Sequence, residues 1–234
     1  MTAKDILEEI KPLGSESYRK VLYNHGVNEP CFGVKISDLK KIQKRIKTDY
    51  KLALDLYSTG IYDAMYLAGL VADDAKMTCQ DLEQWVEKAS GPLAGYTVPW
   101  VASGSCFGRE LALKWINSGK ENIVVAGWGT LSCLVSIKDD KALNLSELKD
   151  LLERVKRTIH TASGSVRYQM NQFVICVGCY VKSLTDFAKQ TAIEIGKLEQ
   201  NIGKTACQVP SAIDYIEKVE KRNAIGKKRK TAKC

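Results

Sequence analysis

Apolar residues recur along this chain at the spacing of helices. In segments 3–11 and 15–25 they stand three and four positions apart, which puts them on one side of a helix. The same spacing predicts a helix that Ser37 caps, and further helices at about 50–58, 61–72, 78–89, 109–117, 122–136, 146–160, 164–181, 184–198 and 209–221. No stretch alternates apolar and polar residues between turn signals, as a strand would. The pattern therefore predicts an all-α architecture.

The predicted helices group into pairs that repeat about every 35 to 45 residues. This period is close to the ~40 to 47 residues of HEAT-like repeats. Stacked pairs form a curved α-solenoid with a concave surface, because each pair is rotated slightly against the last. We therefore expect a single HEAT-like helical domain over residues 1–225, present as a monomer, and a basic C-terminal tail over residues 226–234.

The chain is basic, with 35 lysine and arginine residues against 27 aspartate and glutamate residues and a net charge of +8. A basic balance indicates an anionic partner, either nucleic acid or an acidic surface. Five positive charges lie in the last eight residues, and we expect this tail to be a solvated, mobile end: Lys227, Lys228, Arg229, Lys230 and Lys233. Without these five charges the body keeps a net charge of about +3, so it is basic as well.

Composition also argues against several other classes of protein. No apolar run reaches the ~18 residues that suggest a membrane span, so we expect a cytoplasmic protein without a membrane partner. Eight cysteines are scattered along the chain, and only Cys176 and Cys179 form a Cys-x-x-Cys pair. That pair has neither a second pair nor nearby histidines, so we predict no metal site and no cofactor. The cysteines are interpreted as small buried residues in a reducing compartment.

The candidate site is the central segment Tyr96–Gly108, with the sequence YTVPWVASGSCFG. If the segment is helical, Tyr96 and Trp100 project from one face, and Pro99 stands in the first turn, where its missing N–H is tolerated. This places two aromatic rings side by side at a helix start, and helix starts bind anions such as a nucleic-acid backbone. The alternative is that both rings are core packing between helices.

Polar residues elsewhere extend the candidate DNA-binding surface. Arg109 follows the central segment and is placed to meet a phosphate, or else to pair with Glu110 or an acid of a neighbouring helix. On a later helix, Asn171 can share a face with either Arg167 or Tyr168, and this polar cluster can contact the backbone of DNA. The tail adds three further candidates, Lys227, Lys228 and Arg229.

Four segments together resemble the AlkD-like family of DNA alkylation repair proteins. They are HGVNEPCFGVKISDLKKIQKRI at 25–46, the central segment with FGRE, SVRYQMNQFVICVGCYV at 165–181, and GKTACQVPSAIDYIEKV at 203–219 followed by IGKKRK. The resemblance implies a HEAT-like solenoid that binds duplex DNA in its concave face. It also implies a relation to glycosylases, because some members of that family remove cationic alkylated purines.

The central segment departs from the pattern of the active members. Those members carry a Trp-x-x-x-Asp motif, in which the ring holds the cationic lesion and the carboxylate stabilises the charge that develops on the sugar. Here Tyr96 stands in the place of the tryptophan and Trp100 in that of the aspartate, and no carboxylate occurs between Lys88 and Arg109. Losing such a group costs about 10² to 10³ in rate. We therefore expect a DNA-binding protein for damaged or branched DNA without classical glycosylase activity, and we assign no catalytic residue.

Two alternative functions remain open from the sequence. An active alkylpurine glycosylase would need another acid, such as Glu110 or Asp139, facing the concave surface beside Tyr96 or Trp100. A protein-binding helical scaffold would instead have a concave face lined by acids or apolar side chains.

Overall fold

The computed structural model describes residues 1–198 and 209–234, and every regular element in those ranges is a helix. The start of the segment 203–219 therefore lies outside the described residues. The α-helices are α1 Ala3–Ile10, α2 Glu16–Asn24, α3 Ile36–Ile46, α4 Tyr50–Ser58, α5 Tyr62–Val71, α6 Cys79–Lys88, α7 Val98–Gly104, α8 Gly108–Trp115, α9 Glu121–Ile137, α10 Leu145–Thr158, α11 Gly164–Tyr180, α12 Thr185–Ile195 and α13 Ala212–Lys221. The all-α prediction is confirmed.

Several helix starts follow from local side-chain chemistry. Thr78 precedes α6 and accepts a hydrogen bond from the backbone N–H of Asp81, whose carboxylate in turn accepts from the backbone of Thr78. This capping box satisfies two N–H groups that the helix leaves free. The predicted cap of α3 was wrong: the helix begins at Ile36 with Lys35 before it, and no side chain caps its first N–H groups.

The helices stack as five consecutive pairs: α4 with α5, α6 with α7, α8 with α9, α10 with α11, and α12 with α13. The second helices of the pairs pack on one another along the stack, and we call α5, α7, α9, α11 and α13 the inner row. Helix α9 is buried along nearly its whole length, because it touches α7 and α11 on its sides and α8 behind it. The arrangement is a HEAT-like α-solenoid, as predicted.

A buried carboxylate fixes the long loop between α2 and α3. Asp63 on α5 is fully buried and accepts hydrogen bonds from the backbone N–H groups of Phe32 and Val34, at 2.6 and 2.8 Å. Buried N–H groups must find partners, and this side chain supplies both. The loop thus gains a defined path across the first pair of the stack.

The basic tail differs from the mobile end that we expected. The backbone N–H groups of Gly226 and Arg229 donate to the carbonyl oxygens of Cys179 and Ser136, each at 2.8 Å, and the Ala232 side chain is buried. The acceptors belong to the last turns of α11 and α9, where carbonyl groups have no partner within the helix. The negative ends of the helix dipoles also attract the tail's lysines. The tail is therefore packed along the ends of the inner row.

Replacing Asp63 with alanine is expected to lower the free energy of unfolding by about 3 kcal/mol, because two buried N–H groups lose a charged acceptor. Urea denaturation measures the change. Asp55→Ala on α4 is the matched control, since Asp55 is exposed, and it should cost less than about 0.5 kcal/mol. Equal effects of the two substitutions would contradict the role given to Asp63.

Candidate nucleic-acid interface

A groove of about 420 Å³ lies across the inner row, between α7, α9, α11, α13 and the tail. The charged side chains among its described lining residues are all positive. Three cations border it, and no carboxylate does so among the residues that the structure describes. The remaining lining is neutral, with four aromatic side chains, two amides and several small residues. The charged and aromatic members are Tyr96, Trp100, Tyr180, Tyr215, Arg222, Lys227 and Arg229.

The groove floor is shaped by a proline in the middle of a helix. The chain is helical from residue 91 to residue 104, with a π-helical turn at Leu93–Thr97, in which the N–H of Val98 donates to the carbonyl of Leu93. Pro99 follows and has no N–H, so it cannot bond to the Gly95 carbonyl four residues earlier. The Gln169 side chain of α11 fills this place, with Nε2 donating to the Gly95 oxygen at 3.2 Å.

Two glycines allow neighbouring helices to approach this irregular turn. A Cβ atom on Gly129 of α9 would stand 2.8 Å from Cγ of Pro99, and one on Gly69 of α5 would stand 2.3 Å from Cγ2 of Thr97. Real Cβ atoms do not approach so closely. Helices α5 and α9 therefore pack closely against the π-helical turn and the proline that follows it, and they leave no space for larger side chains at these two glycines.

Tyr96 and Trp100 both border the groove but differ in exposure. Tyr96 is 41% exposed, and its hydroxyl lies 3.4 Å from that of Tyr168 on α11. Trp100 is only 6% exposed and packs edge-on against the ring of Tyr66, with centroids 5.5 Å apart. The predicted helix start at these rings was wrong, because the helical run begins at residue 91. The backbone N–H groups near Tyr96 therefore do not belong to a helix start, where N–H groups without partners can bind anions.

Arg109 lies outside the groove. Its guanidinium pairs with Glu147 of α10, with Nε 3.0 Å from Oε1, beside a separate cavity of about 250 Å³ between α8, α9 and α10. Of the two partners that the sequence left open, the acid of a neighbouring helix is the observed one, and Glu110 is not.

The three candidates on α11 have separate surroundings. Arg167 donates to the carbonyl oxygens of Ile159, His160 and Ala162, and so caps the turn that ends α10. Asn171 is buried, and its Nδ2 donates to the Pro210 carbonyl at 2.9 Å. Of the three, Tyr168 alone reaches the edge of the groove, through its contact with Tyr96.

The tail candidates divide in the same way. Lys227 and Arg229 border the groove, whereas Lys228 turns away from it. The Lys228 ammonium lies 2.7 Å from the Asp140 carboxylate and donates to the Val135 carbonyl at 2.8 Å. Adjacent tail residues thus point to opposite sides, because side chains alternate along an extended segment.

Several lining residues were missed by the sequence analysis. Gln169, Gln172 and Cys176 follow one another on α11 at spacings of three and four, so they form a stripe of polar and small residues along one face of that helix. That stripe was a readable signal for the groove. Tyr215 and Arg222 belong to α13 and the turn after it, and no local pattern distinguishes them.

The thiols in the groove are not arranged as nucleophiles. Burial raises the pKa of Cys133 to about 12 and that of Cys179 to about 11, and burial likewise raises the pKa of Cys176. A thiol with a raised pKa stays protonated at neutral pH and reacts slowly. The floor is therefore uncharged, and the charge of the groove comes from its cationic border.

Neither of the acids named as a possible replacement for the glycosylase carboxylate borders the groove. Glu110 is exposed on α8, and Asp139 accepts the N–H of Lys141 at the start of a short 3₁₀ turn. Over residues 1–198 and 209–234, no three His, Cys, Asp or Glu side chains are grouped so as to hold a metal ion. None of the helices described in these ranges is long and apolar enough to cross a membrane.

The stacked pairs and the groove along their inner row define a HEAT-like repeat solenoid. Comparison with known proteins specifies the family. The family described as DNA alkylation repair enzyme matches residues 6–180. The chain is 33% identical to the uncharacterized protein Lin0241 of Listeria innocua and 32% identical to the uncharacterized protein Lmo0209 of Listeria monocytogenes. Each alignment covers 92% of this chain and 95% of the relative.

A solved structure is similar over the full length of both chains, with a TM-score of 0.89 and 35% identity. It is described as "A new family of proteins related to the HEAT-like repeat DNA glycosylases with affinity for branched DNA structures". The present chain belongs to the DNA alkylation repair enzyme family.

Gln169→Leu is expected to lower the free energy of unfolding by about 1 to 3 kcal/mol, because the buried Gly95 carbonyl loses its donor. Gln172→Leu makes the same change of side chain on the same helix, at a half-buried position, and should alter stability by less than about 0.5 kcal/mol. Denaturation in urea compares the two. A Gln169 variant as stable as the Gln172 variant would show that the Gly95 carbonyl does not need this partner.

Proposed function

We propose that the chain binds DNA in the inner-row groove without excising bases, and that it prefers branched or damaged DNA to intact linear duplex. The observation that carries the proposal is the composition of the groove, which has three cations, exposed aromatic rings and no carboxylate among its described lining residues. Cations beside a neutral floor favour a polyanion, and they supply most of the affinity of proteins for DNA.

The aromatic residues support the preference for distorted DNA. Tyr96 and Tyr215 are 41% and 49% exposed at the border of the groove, where a base that has left the stack can lie against a ring. Stacking of this kind is worth about 1 to 3 kcal/mol per base, and it is accessible only where bases are unpaired or splayed. Branch points and damaged sites offer such bases. A solved structure similar to this chain is described as having affinity for branched DNA structures.

The lack of a carboxylate supports binding without chemistry. Trp100, which stands where active members of the resembled family carry an aspartate, is buried against Tyr66. Nothing acidic among the described lining residues can stabilise positive charge on a sugar in the groove. Each missing group of this type costs about 10² to 10³ in rate.

The two alternatives have less support. A glycosylase that uses Glu110 or Asp139 would need one of them in the groove, and neither borders it. A scaffold for proteins would suit a surface lined by acids or apolar side chains, but the charges of this groove are all positive among its described residues.

We propose further that the protein acts as a cytoplasmic monomer. The cysteines within the described residues are all free thiols, in keeping with a reducing compartment. Light scattering during gel filtration tests the monomer, and a dimer at micromolar concentration would contradict it.

The double substitution Lys227→Gln with Arg229→Gln is expected to weaken binding to a four-way junction and to flatten its salt dependence. The slope of log K against log salt should fall by about 0.9 for each phosphate contact that is lost. Arg109→Gln is the control, because Arg109 lies outside the groove and pairs with Glu147. An equal loss of slope in the control, or none in the double variant, would place the DNA elsewhere.

A further inference from the structure

The side chains of the tail alternate between the groove and the body of the protein. Lys227 and Arg229 border the groove, while Lys228 and Lys233 reach two carboxylates in the loops that follow inner-row helices. We propose that residues 226–234 form a fixed basic wall of the DNA groove, and that Asp74 and Asp140 are positioning residues that hold this wall in place. The inference rests on the proposed function, since it assigns a role in DNA binding to two acids that DNA would not touch.

The first anchor lies at the end of α9. The Lys228 ammonium is 2.7 Å from Oδ1 of Asp140 and 2.8 Å from the Val135 carbonyl oxygen, and its side chain is 20% exposed. It therefore forms an ion pair with a carboxylate and donates a hydrogen bond to a carbonyl of the last helical turn. A lysine held by an ion pair and a hydrogen bond at a largely buried position has lost the freedom of a solvated side chain.

The second anchor lies at the end of α5. The Lys233 ammonium is 2.7 Å from Oδ1 of Asp74 and 2.7 Å from the Ala72 carbonyl oxygen, with 17% and 23% of the two side chains exposed. Burial raises the pKa of Asp74, and the nearby Lys233 opposes that rise. Beyond this anchor, Cys234 lies beside the Tyr66 hydroxyl on α5.

The backbone between the anchors is fixed as well. Gly226 has a φ of +78°, a value that suits glycine, and this turn directs the chain from the end of α13 onto α11. The N–H groups of Gly226 and Arg229 then bond to α11 and α9. With the chain held at both sides of Arg229, its guanidinium and the ammonium of Lys227 border the groove at defined places.

The wall connects helices that are not neighbours in the stack. It bonds to α11, α9 and α5, whereas α5 and α9 are separated in the inner row by α7. Repeats of a solenoid mostly contact adjacent repeats, and here Gln169 and Tyr168 of α11 also reach the turn before α7. The tail therefore restrains the curvature of the inner row, and it orders two cations before DNA arrives. Ordering before binding reduces the entropy that binding must offset.

Neutralising Asp74 and Asp140 is predicted to affect DNA binding in the direction opposite to that expected from their charge alone. Removing an acidic residue from a DNA-binding protein normally strengthens binding, because repulsion of phosphates is reduced. If Asp74 and Asp140 hold the wall, their neutralisation should instead release the tail. The released tail remains basic and still attracts any DNA, but it no longer presents its cations at fixed places, so the preference for a branched shape should fall.

The test compares Asp74→Asn with Asp140→Asn, as a double variant of the full chain, against the matched control Asp55→Asn with Asp150→Asn. The control removes the same charge from exposed positions on the outer helices α4 and α10. Limited trypsin digestion without DNA reports on the tail, and we expect cleavage at Lys227 to Lys230 to be faster on the order of tenfold in the first variant only. Binding is measured with a four-way junction and a linear duplex of equal length.

The expected result is a ratio of junction to duplex affinity that falls about threefold or more in the Asp74 and Asp140 variant and is unchanged in the control. Unchanged trypsin cleavage would overturn the anchoring role of the two acids. Faster trypsin cleavage together with an unchanged or increased preference for the junction would contradict the proposed wall. It would indicate that the docked tail covers the groove. If the wild-type chain bound neither DNA, the proposed function would fail and the wall with it, while the digestion would still report whether the acids anchor the tail.

Asp140→Asn alone serves as a milder variant if the double variant fails to fold, as judged by its circular dichroism. Asp140 is 37% exposed, so its substitution does not open the core. The same two readouts apply, with cleavage after Lys228 and its neighbours expected to rise and the preference for the junction expected to fall. A folded Asp140 variant that changes neither property would also overturn the proposal.

Discussion

Pro99 cannot donate a hydrogen bond, and the groove depends on how the chain accommodates that loss. The Gly95 carbonyl therefore lacks the donor four residues later that an α-helix would provide, and Gln169 of α11 supplies a side-chain donor from a separate repeat. Gly129 brings α9 against the proline ring at the same point. A local defect in one helix is thus stabilised by two other helices of the inner row. This fixes the relative positions of three inner-row helices, which with the turn before α7 carry both amides and three of the four aromatic residues of the groove.

The distribution of charge follows a similar division of roles. Acidic residues form ion pairs with lysines and arginines at the outer helices and at the tail, as Glu147 does with Arg109 and Asp140 with Lys228. The cations that remain beside the groove are Arg222, Lys227 and Arg229. Two of these come from the tail, whose Lys228 and Lys233 are held at the ends of α9 and α5. Free carbonyls at helix ends therefore determine where the positive charge of the groove lies.

The sequence predicted those features that depend on local pattern. Helical periodicity located the helices, and Thr78 with Asp81 marked the start of α6, because caps and amphipathic faces are encoded within a few residues. It did not predict the packing of the tail, since Lys228 meets Asp140 only after the solenoid has folded. Arg167 was expected at DNA but caps α10, and an arginine's partner cannot be inferred from its neighbours in sequence. Tyr96 borders the groove, although the helix start expected there is absent.

The most direct test of binding without chemistry is a single-turnover measurement of methylated purine release from alkylated duplex DNA, with the protein in excess over DNA that it demonstrably binds. A groove without a carboxylate predicts saturable, salt-sensitive binding and no release above the rate in protein-free buffer. Enzyme-dependent release that is abolished by Glu110→Gln or Asp139→Asn would contradict this account, because it would show that an acid outside the observed groove reaches the bound base.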